Sequence, residues 1–295
     1  MILPHTTPGV WPSDISSSRF ASTIARDSAR DCTIALLGLP DDRGVKLNHG
    51  RAGAAEGPTA FRAALARYGA AEPAACSWPR VYDAGDIIPS SSSLEKTHAR
   101  VTEVTQLLLA RGLLPIAIGG GHDLTFPFVR AVAEKFSPLA GVYFDAHLDV
   151  RQAEGSGMAF RRLIKDCRVG PLHLHGFRPW VNSREHHAWF VAQGGQAPVD
   201  DAAEPALPGD AANLFVSFDL DVIDMAHAPG VSAPNPSGWT PREAERWVLA
   251  CGADPRTRCF DLMELSPPHD EGGRTARLAA HLFLTFLAGF ATRPS

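Results

Sequence analysis

No stretch of this chain is apolar for long enough to span a bilayer. The longest apolar run, near 281–291, falls short of the roughly 20 residues a membrane helix needs. The opening residues MILPHTTPGVWPSD lack a charged segment followed by an apolar one, so no secretory leader is expected. Charge of a single sign is scarce: 28 Lys and Arg stand against 32 Asp and Glu, and no long basic or acidic run occurs. Nucleic acid and anionic membrane surfaces therefore have no footing as partners. Cysteine is sparse too. Cys32, Cys76, Cys167, Cys251 and Cys259 are odd in number and never in CxxC spacing. They read as the reduced thiols of a cytoplasmic protein, not as a disulfide framework.

What is present is a pattern of alternating elements. Runs that are apolar on both faces predict strands at 33–37, 80–82, 114–118, 141–144, 172–175, 214–218 and 258–262. Helical spacing fills the gaps at 58–68, 94–111, 125–136, 240–250 and 275–290, the first with Pro58 in its opening turn. Strand and helix in alternation predict an open, doubly wound α/β fold with a mostly parallel sheet. No repeat interrupts it, 193–210 reads as a Gly- and Pro-rich loop, and residues 1–30 read as an irregular segment on the surface. One domain over 1–295 is the simplest organisation, and at this length it buries a sizeable core.

Three of the predicted strands end in chemistry-bearing runs: GGGHD at 119–123, FDAHLD at 144–149 and SFDLD at 217–221. Ligands of open α/β sheets bind at such strand ends. In an extended segment the side chains of Asp145, His147 and Asp149 point one way, and those of Asp219 and Asp221 do the same. With His122 the set is two imidazoles and four carboxylates. Carboxylates so close together repel unless a cation compensates them. Four of them come near to charge balance with two divalent ions, and a carboxylate-rich set with some imidazole favours Mn²⁺ over a structural Zn²⁺ site. Ions of that kind activate water for hydrolysis. The triple glycine lacks the Lys-Ser/Thr of a phosphate loop and reads as a tight turn that presents His122.

These runs resemble the three signatures of the ureohydrolase family, the arginases, agmatinases and formimidoylglutamases, and the likeness extends from about residue 36 to 290. It implies a three-layer α/β/α domain of the arginase/deacetylase type. By position it also implies one manganese on His122, Asp145, Asp149 and Asp219, and a second on His147, Asp145, Asp219 and Asp221. Further segments look most like formimidoylglutamase: DDRGVKLNHGRAGAAEGP at 41–58, DAGDI at 83–87, APGVSAP at 228–234 and ELSPPHDEGGRTARLAA at 264–280. The reaction so implied is N-formimidoyl-L-glutamate and water to L-glutamate and formamide, in histidine degradation, by a cytoplasmic homo-oligomer acting on a small molecule. Glu264 would hold the planar N–C–N group, and Asp149 would carry the proton to the leaving nitrogen. Arg151 would take the substrate carboxylate, with Arg161 and Arg162 as alternatives and Ser156 nearby. Phe160 lies near the position where arginases carry a proton-shuttling His. The chain departs from the subfamily pattern at Asp123, Met158 and Ala159, and has Met225 where the family has Pro. The rivals are a guanidino-compound hydrolase releasing urea, a single-zinc deacetylase of the same fold, and a non-catalytic metal-binding relative.

Other residues are expected to play structural parts. His173 and His175 read as satisfied strand residues, His186 and His187 as solvated on a polar helix, and His281 as core. Trp180, Trp189, Trp239 and Trp247 read as packing anchors. His49 and Arg51, in a Gly-rich loop, border either the substrate or a subunit contact.

Overall fold

A computed structural model describes residues 3–69, 71–72, 77–199 and 204–294. Cys76 and the middle of the expected loop at 193–210 lie outside the described residues; Cys32, Cys167, Cys251 and Cys259 are free thiols. The strands are β1 (Thr6–Thr7), β2 (Ile34–Gly38), β3 (Val81–Ile87), β4 (Leu114–Ile118), β5 (Ala140–Phe144), β6 (Leu172–His175), β7 (Leu214–Asp219) and β8 (Thr257–Met263). They form one sheet in the order β1-β3-β2-β4-β8-β7-β5-β6, parallel except for the short edge strand β1. All seven expected strands are there. Residues 1–30, expected to be irregular, add β1 and a 3₁₀ turn at Phe20–Thr23.

The helices are α1 (Arg43–Leu47), α2 (Gly57–Leu65), α3 (Leu94–Ala110), α4 (Thr125–Lys135), α5 (Ala159–Cys167), α6 (Arg184–Ala192), α7 (Pro241–Ala253) and α8 (Arg274–Phe290). Two apolar clusters separate them into layers. Phe61, Leu65, Trp247, Val248, Phe283 and Phe286, from α2, α7 and α8, cover one face of the sheet. Val101, Leu108, Phe128, Val132, Phe160, Leu163 and Phe190, from α3 to α6, cover the other. Covered on both faces, β2, β3, β5 and β7 are buried along their whole length, which is why β2 and β5 read as unbroken apolar runs. Truncating a buried aromatic in such a core costs about 3–5 kcal/mol. Among the described residues no helix is long and apolar enough to cross a membrane.

Sequence and structure differ most at two places. β3 runs past 82 through Asp83 and Asp86 because Arg62 of α2 comes down on it. Its Nε and Nη2 donate to the two oxygens of Asp83 at 3.0 and 2.9 Å, and Nη1 donates to Asp86 at 2.6 Å. A buried charge is tolerated when it is paired this completely. Helix α5 was not expected. It is short, and its charged residues mask a one-sided apolar stripe that packs on α4. The chain start of α7 is plainer: Thr240 and Glu243 close a reciprocal capping box, with Pro241 in the first turn.

Candidate metal centre

Strands β4, β8, β7 and β5 are neighbours in the sheet, so the segments leaving their carboxyl ends meet at one place. The first turns sharply at Gly119 and Gly120, with φ of 94° and 71°. A Cβ on Gly120 would stand 2.4 Å from the Leu39 carbonyl oxygen, so the turn needs glycine on both counts. It delivers His122 into a 3₁₀ turn, 1% exposed.

Beyond β5 the chain bends instead of continuing extended, which corrects the strand geometry expected for 145–149; Asp149 takes a left-handed φ of 47°. The alternation survives for another reason. Asn182 accepts from the Leu148 N–H at 2.9 Å and donates to the Ala146 carbonyl at 2.9 Å. Ala146, Leu148 and Val150 are thereby buried on one side, leaving Asp145, His147 and Asp149 on the other. Asp219 closes β7 and accepts the Asp221 N–H at 2.7 Å, a local turn that sets both carboxylates together.

His122 Nδ1 lies 3.0 Å from Asp145 Oδ2, 3.0 Å from Asp149 Oδ2 and 3.1 Å from Asp219 Oδ2. His147 Nδ1 lies 3.0 Å from Asp221 Oδ2 and 3.2 Å from Asp145 Oδ1. Two candidate ligand groups result, His122–Asp145–Asp149 and Asp145–His147–Asp221, which share Asp145. His122 Nδ1 and Asp145 Oδ2 are buried and have no hydrogen-bond partner among the described residues. One proton cannot serve three carboxylates around a single nitrogen. A divalent cation with nitrogen and oxygen ligands satisfies all of them.

The electrostatics agree. Burial, then the charges of Asp221 and Asp149, push the Asp145 carboxyl up to about 6. Burial, then Asp221 and Asp145, raise Asp219 well above the carboxylate range. Burial works against a charged His122, but Asp145, Asp149 and Asp219 outweigh it and raise the imidazole well above its ordinary value. His147 is raised likewise, against burial, by Asp221 and Asp145. Excess negative charge held out of water in this way is what a bound cation relieves.

Over these groups opens a cavity of about 480 Å³ whose lining includes His147, Asp149, Asp219, Asp221 and Glu264. Glu264 takes a left-handed φ of 66° after β8 and is 2% exposed. Burial is the main force raising its carboxyl to about 7, against the hydrogen bonds it accepts. Its Oε2 has no partner among the described residues. Arg151 is at the rim, where Nη1 donates to Asn48 Oδ1 at 2.6 Å, and Asn48 Nδ2 donates to Ser156 Oγ at 3.2 Å.

Several expectations are corrected here. Arg161 and Arg162 do not reach the cavity: α5 turns Arg161 onto the Trp189 ring and the Val150 carbonyl, and Arg162 onto Asp166 and the Phe126 ring. His186, expected in solvent, lines the cavity with His49. His281 is half exposed and pairs with Glu245 at 3.1 Å, because the last helix turns it outward. His173 and His175 are part-buried, and the buried Nε2 of each lacks a partner among the described residues. Trp180 is 94% exposed, whereas Trp239 and Trp247 pack in the core. Phe160 stands behind His122, edge-on at 5.2 Å between centroids. Asp123 turns away to His98 Nε2 at 2.9 Å, and Met225 donates its N–H to the Asn235 carbonyl, a bond proline cannot make. Asn48, Asn182, Ser183 and Ser232 also line the cavity. Asn48 and Ser232 fall inside the segments at 41–58 and 228–234 already singled out, whereas no local pattern marks Asn182 and Ser183.

This chain, with its mostly parallel sheet covered on both faces, belongs to the arginase family: the family's sequence model matches residues 32–289. The formimidoylglutamase of Geobacillus thermodenitrificans is 32% identical over 273 residues, spanning 87% of this chain and 84% of its own. The human mitochondrial guanidino acid hydrolase is 30% identical over 279 residues, spanning 86% and 77%. The crystal structure of Trypanosoma cruzi formiminoglutamase with Mn²⁺ superimposes with a TM-score of 0.85 at 32% identity, covering 94% of this chain and 99% of that one.

Proposed function

We propose that this protein hydrolyses the C–N bond of N-formimidoyl-L-glutamate, giving L-glutamate and formamide, as a binuclear manganese enzyme. The observation that carries the reading is the pairing of groups in one cavity. An unpartnered carboxylate oxygen of Glu264 lies beside the ligand cluster, and the guanidinium of Arg151 lies at the rim. A substrate with a planar amidinium head and a carboxylate tail is complementary to both.

In this reading His122, Asp145, Asp149 and Asp219 hold one Mn²⁺, and His147, Asp145, Asp219 and Asp221 hold the other. The buried nitrogen surrounded by three carboxylates supports that assignment. Bound there, the ions supply a water of lowered pKa and Lewis acidity at the reacting carbon. Glu264 accepts two N–H bonds of the amidinium and fixes its plane over the ligand cluster. Asp149 takes the proton released by the attacking water and returns it to the nitrogen of the departing glutamate. Arg151, held by Asn48, receives the tail carboxylate beside Ser156. The whole chain acts as one domain, in a cytoplasmic setting that the four free thiols among the described residues suit, and as a homo-oligomer.

A guanidino acid offers the same planar cation and the same tail, and the human relative is named for hydrolysing such compounds. The deciding experiment is an assay of Mn²⁺-loaded protein with N-formimidoyl-L-glutamate beside arginine, agmatine and a short guanidino acid. Formamide and glutamate are the expected products. Urea from a guanidino acid would keep the metal chemistry and replace the substrate.

A further inference from the structure

The ring of His122 has a second nitrogen, on the side away from the carboxylates. His122 Nε2 lies 3.0 Å from Ser217 Oγ. The Ser217 hydroxyl donates to Asp261 Oδ1 at 2.6 Å, and the Thr125 hydroxyl donates to Asp261 Oδ2 at 3.0 Å. Ser217 and Asp261 face each other across the β7–β8 register, and Thr125 opens α4. His122 is 1% exposed, and Ser217, Thr125 and Asp261 are 0% exposed.

The direction of these bonds carries information. An ionised carboxylate only accepts, so both hydroxyl protons point at Asp261. Ser217 then has only lone pairs to offer His122, and Nε2 must be the nitrogen that bears hydrogen. With the Nε2 hydrogen held by Ser217, the proton that a bound cation would displace is the one on Nδ1, the atom surrounded by Asp145, Asp149 and Asp219. We propose that Asp261 is a positioning residue, which acts through Ser217 to set the tautomer and ring angle of His122 so that Nδ1 is available to a metal. The inference rests on the reading of His122 as a ligand. Asp261 itself touches neither the cavity nor the carboxylate cluster.

Asp261→Asn tests it with almost no change of shape. An amide N–H directed at Ser217 turns the hydroxyl proton toward Nε2, and the imidazole hydrogen is then driven onto Nδ1. Mn²⁺ uptake by the full chain is read by equilibrium dialysis and by the EPR signal of free Mn²⁺, with folding checked by circular dichroism and thermal melting in chelator. Asp261→Asn and Ser217→Ala are each expected to weaken one Mn²⁺ by about 10- to 100-fold, the other being retained. Because both act along one path, the double variant is expected to be no weaker than the weaker single one. Thr125→Val leaves the path intact and is expected to stay within about twofold of wild type.

Folded Asp261→Asn with wild-type affinity overturns the proposal, and so do losses that add in the double variant. If Asp261→Asn does not fold, Ser217→Ala decides alone: undiminished affinity overturns the proposal, and a selective loss of one Mn²⁺ supports it. Wild-type protein that takes up no Mn²⁺ would remove the metal reading itself. That outcome is distinct from normal wild-type uptake that the variants leave unchanged.

Discussion

Glu264 Oε1 accepts the backbone N–H of His122 at 2.9 Å, so the carboxylate facing the cavity and the deepest imidazole of the cluster are fixed to one another. In the proposed reading, this main-chain bond would register the substrate's amidinium plane against the cluster. Glu264→Gln preserves an acceptor for that bond but turns an amide N–H at the amidinium. We expect a loss of about 3 kcal/mol in transition-state stabilisation, roughly 100-fold in kcat/KM, with metal content unchanged. Steady-state kinetics beside elemental analysis checks this, and an equal loss of metal would assign Glu264 a purely structural part.

Asp149 has one oxygen on His122 and lines the cavity, which suits it to carry a proton between water and leaving group. Asp149→Asn keeps an oxygen in place and abolishes that capacity. General acid–base catalysis is worth about 100-fold or more, so kcat is expected to fall at least that far in protein that still holds metal. Full activity would exclude the role.

Arg151 is tied to Asn48 at the cavity rim, where the proposed reading would set it against the substrate tail and not the bond being broken. Arg151→Gln is expected to raise KM for N-formimidoyl-L-glutamate about tenfold or more with little change in kcat, the signature of binding lost equally in ground and transition states. Formamidine lacks the carboxylate tail, and its hydrolysis should be insensitive to the substitution. Equal sensitivity of both substrates would move the carboxylate site elsewhere.

His175 is packed against Trp247, with centroids 4.1 Å apart, and against Phe144. Burial chiefly, then the neighbouring His173, lowers its imidazole to about 4. A base depressed on folding binds more protons unfolded, so the contribution is present above the unfolded pKa of about 6.5 and is lost as pH falls toward 4. Between pH 7 and pH 5 the protein should lose about 2 kcal/mol more than His175→Phe. Urea denaturation at the two pH values measures the difference. Parallel acid limbs would mean that His175 is protonated in the folded state.

Much of the site was legible because strand ends are local events. The apolar runs before GGGHD, FDAHLD and SFDLD identify β4, β5 and β7, and the ligand-type residues follow within a few positions. The spacing of Asp145, His147 and Asp149 was read for an extended strand, and the side chains do converge, although Asn182 and a left-handed turn bring this about. A motif can be legible while its geometry is not, since the same alternation has more than one backbone solution. Helix phase was harder. His186 on the cavity side of α6, the outward face of His281 and the retirement of Arg161 and Arg162 all depend on how each helix is rotated against the sheet. The exposure of Trp180 has the same origin, since a 3₁₀ turn can face solvent whatever residue it carries.

By itself the sequence determined seven of the eight described strands, and the residue types and spacing of the cluster, because these follow from periodicity and from the residues that adjoin each strand end. Only the tertiary structure decided that β8 and β7 stand between β4 and β5, which places Glu264 beside His122 and Asp261 behind it. Those partners are 142 and 139 residues from His122 in the chain, distances that no local pattern spans. What joins them is the burial of apolar surface on both faces of one sheet, which draws remote strands into register and sets their charged ends together.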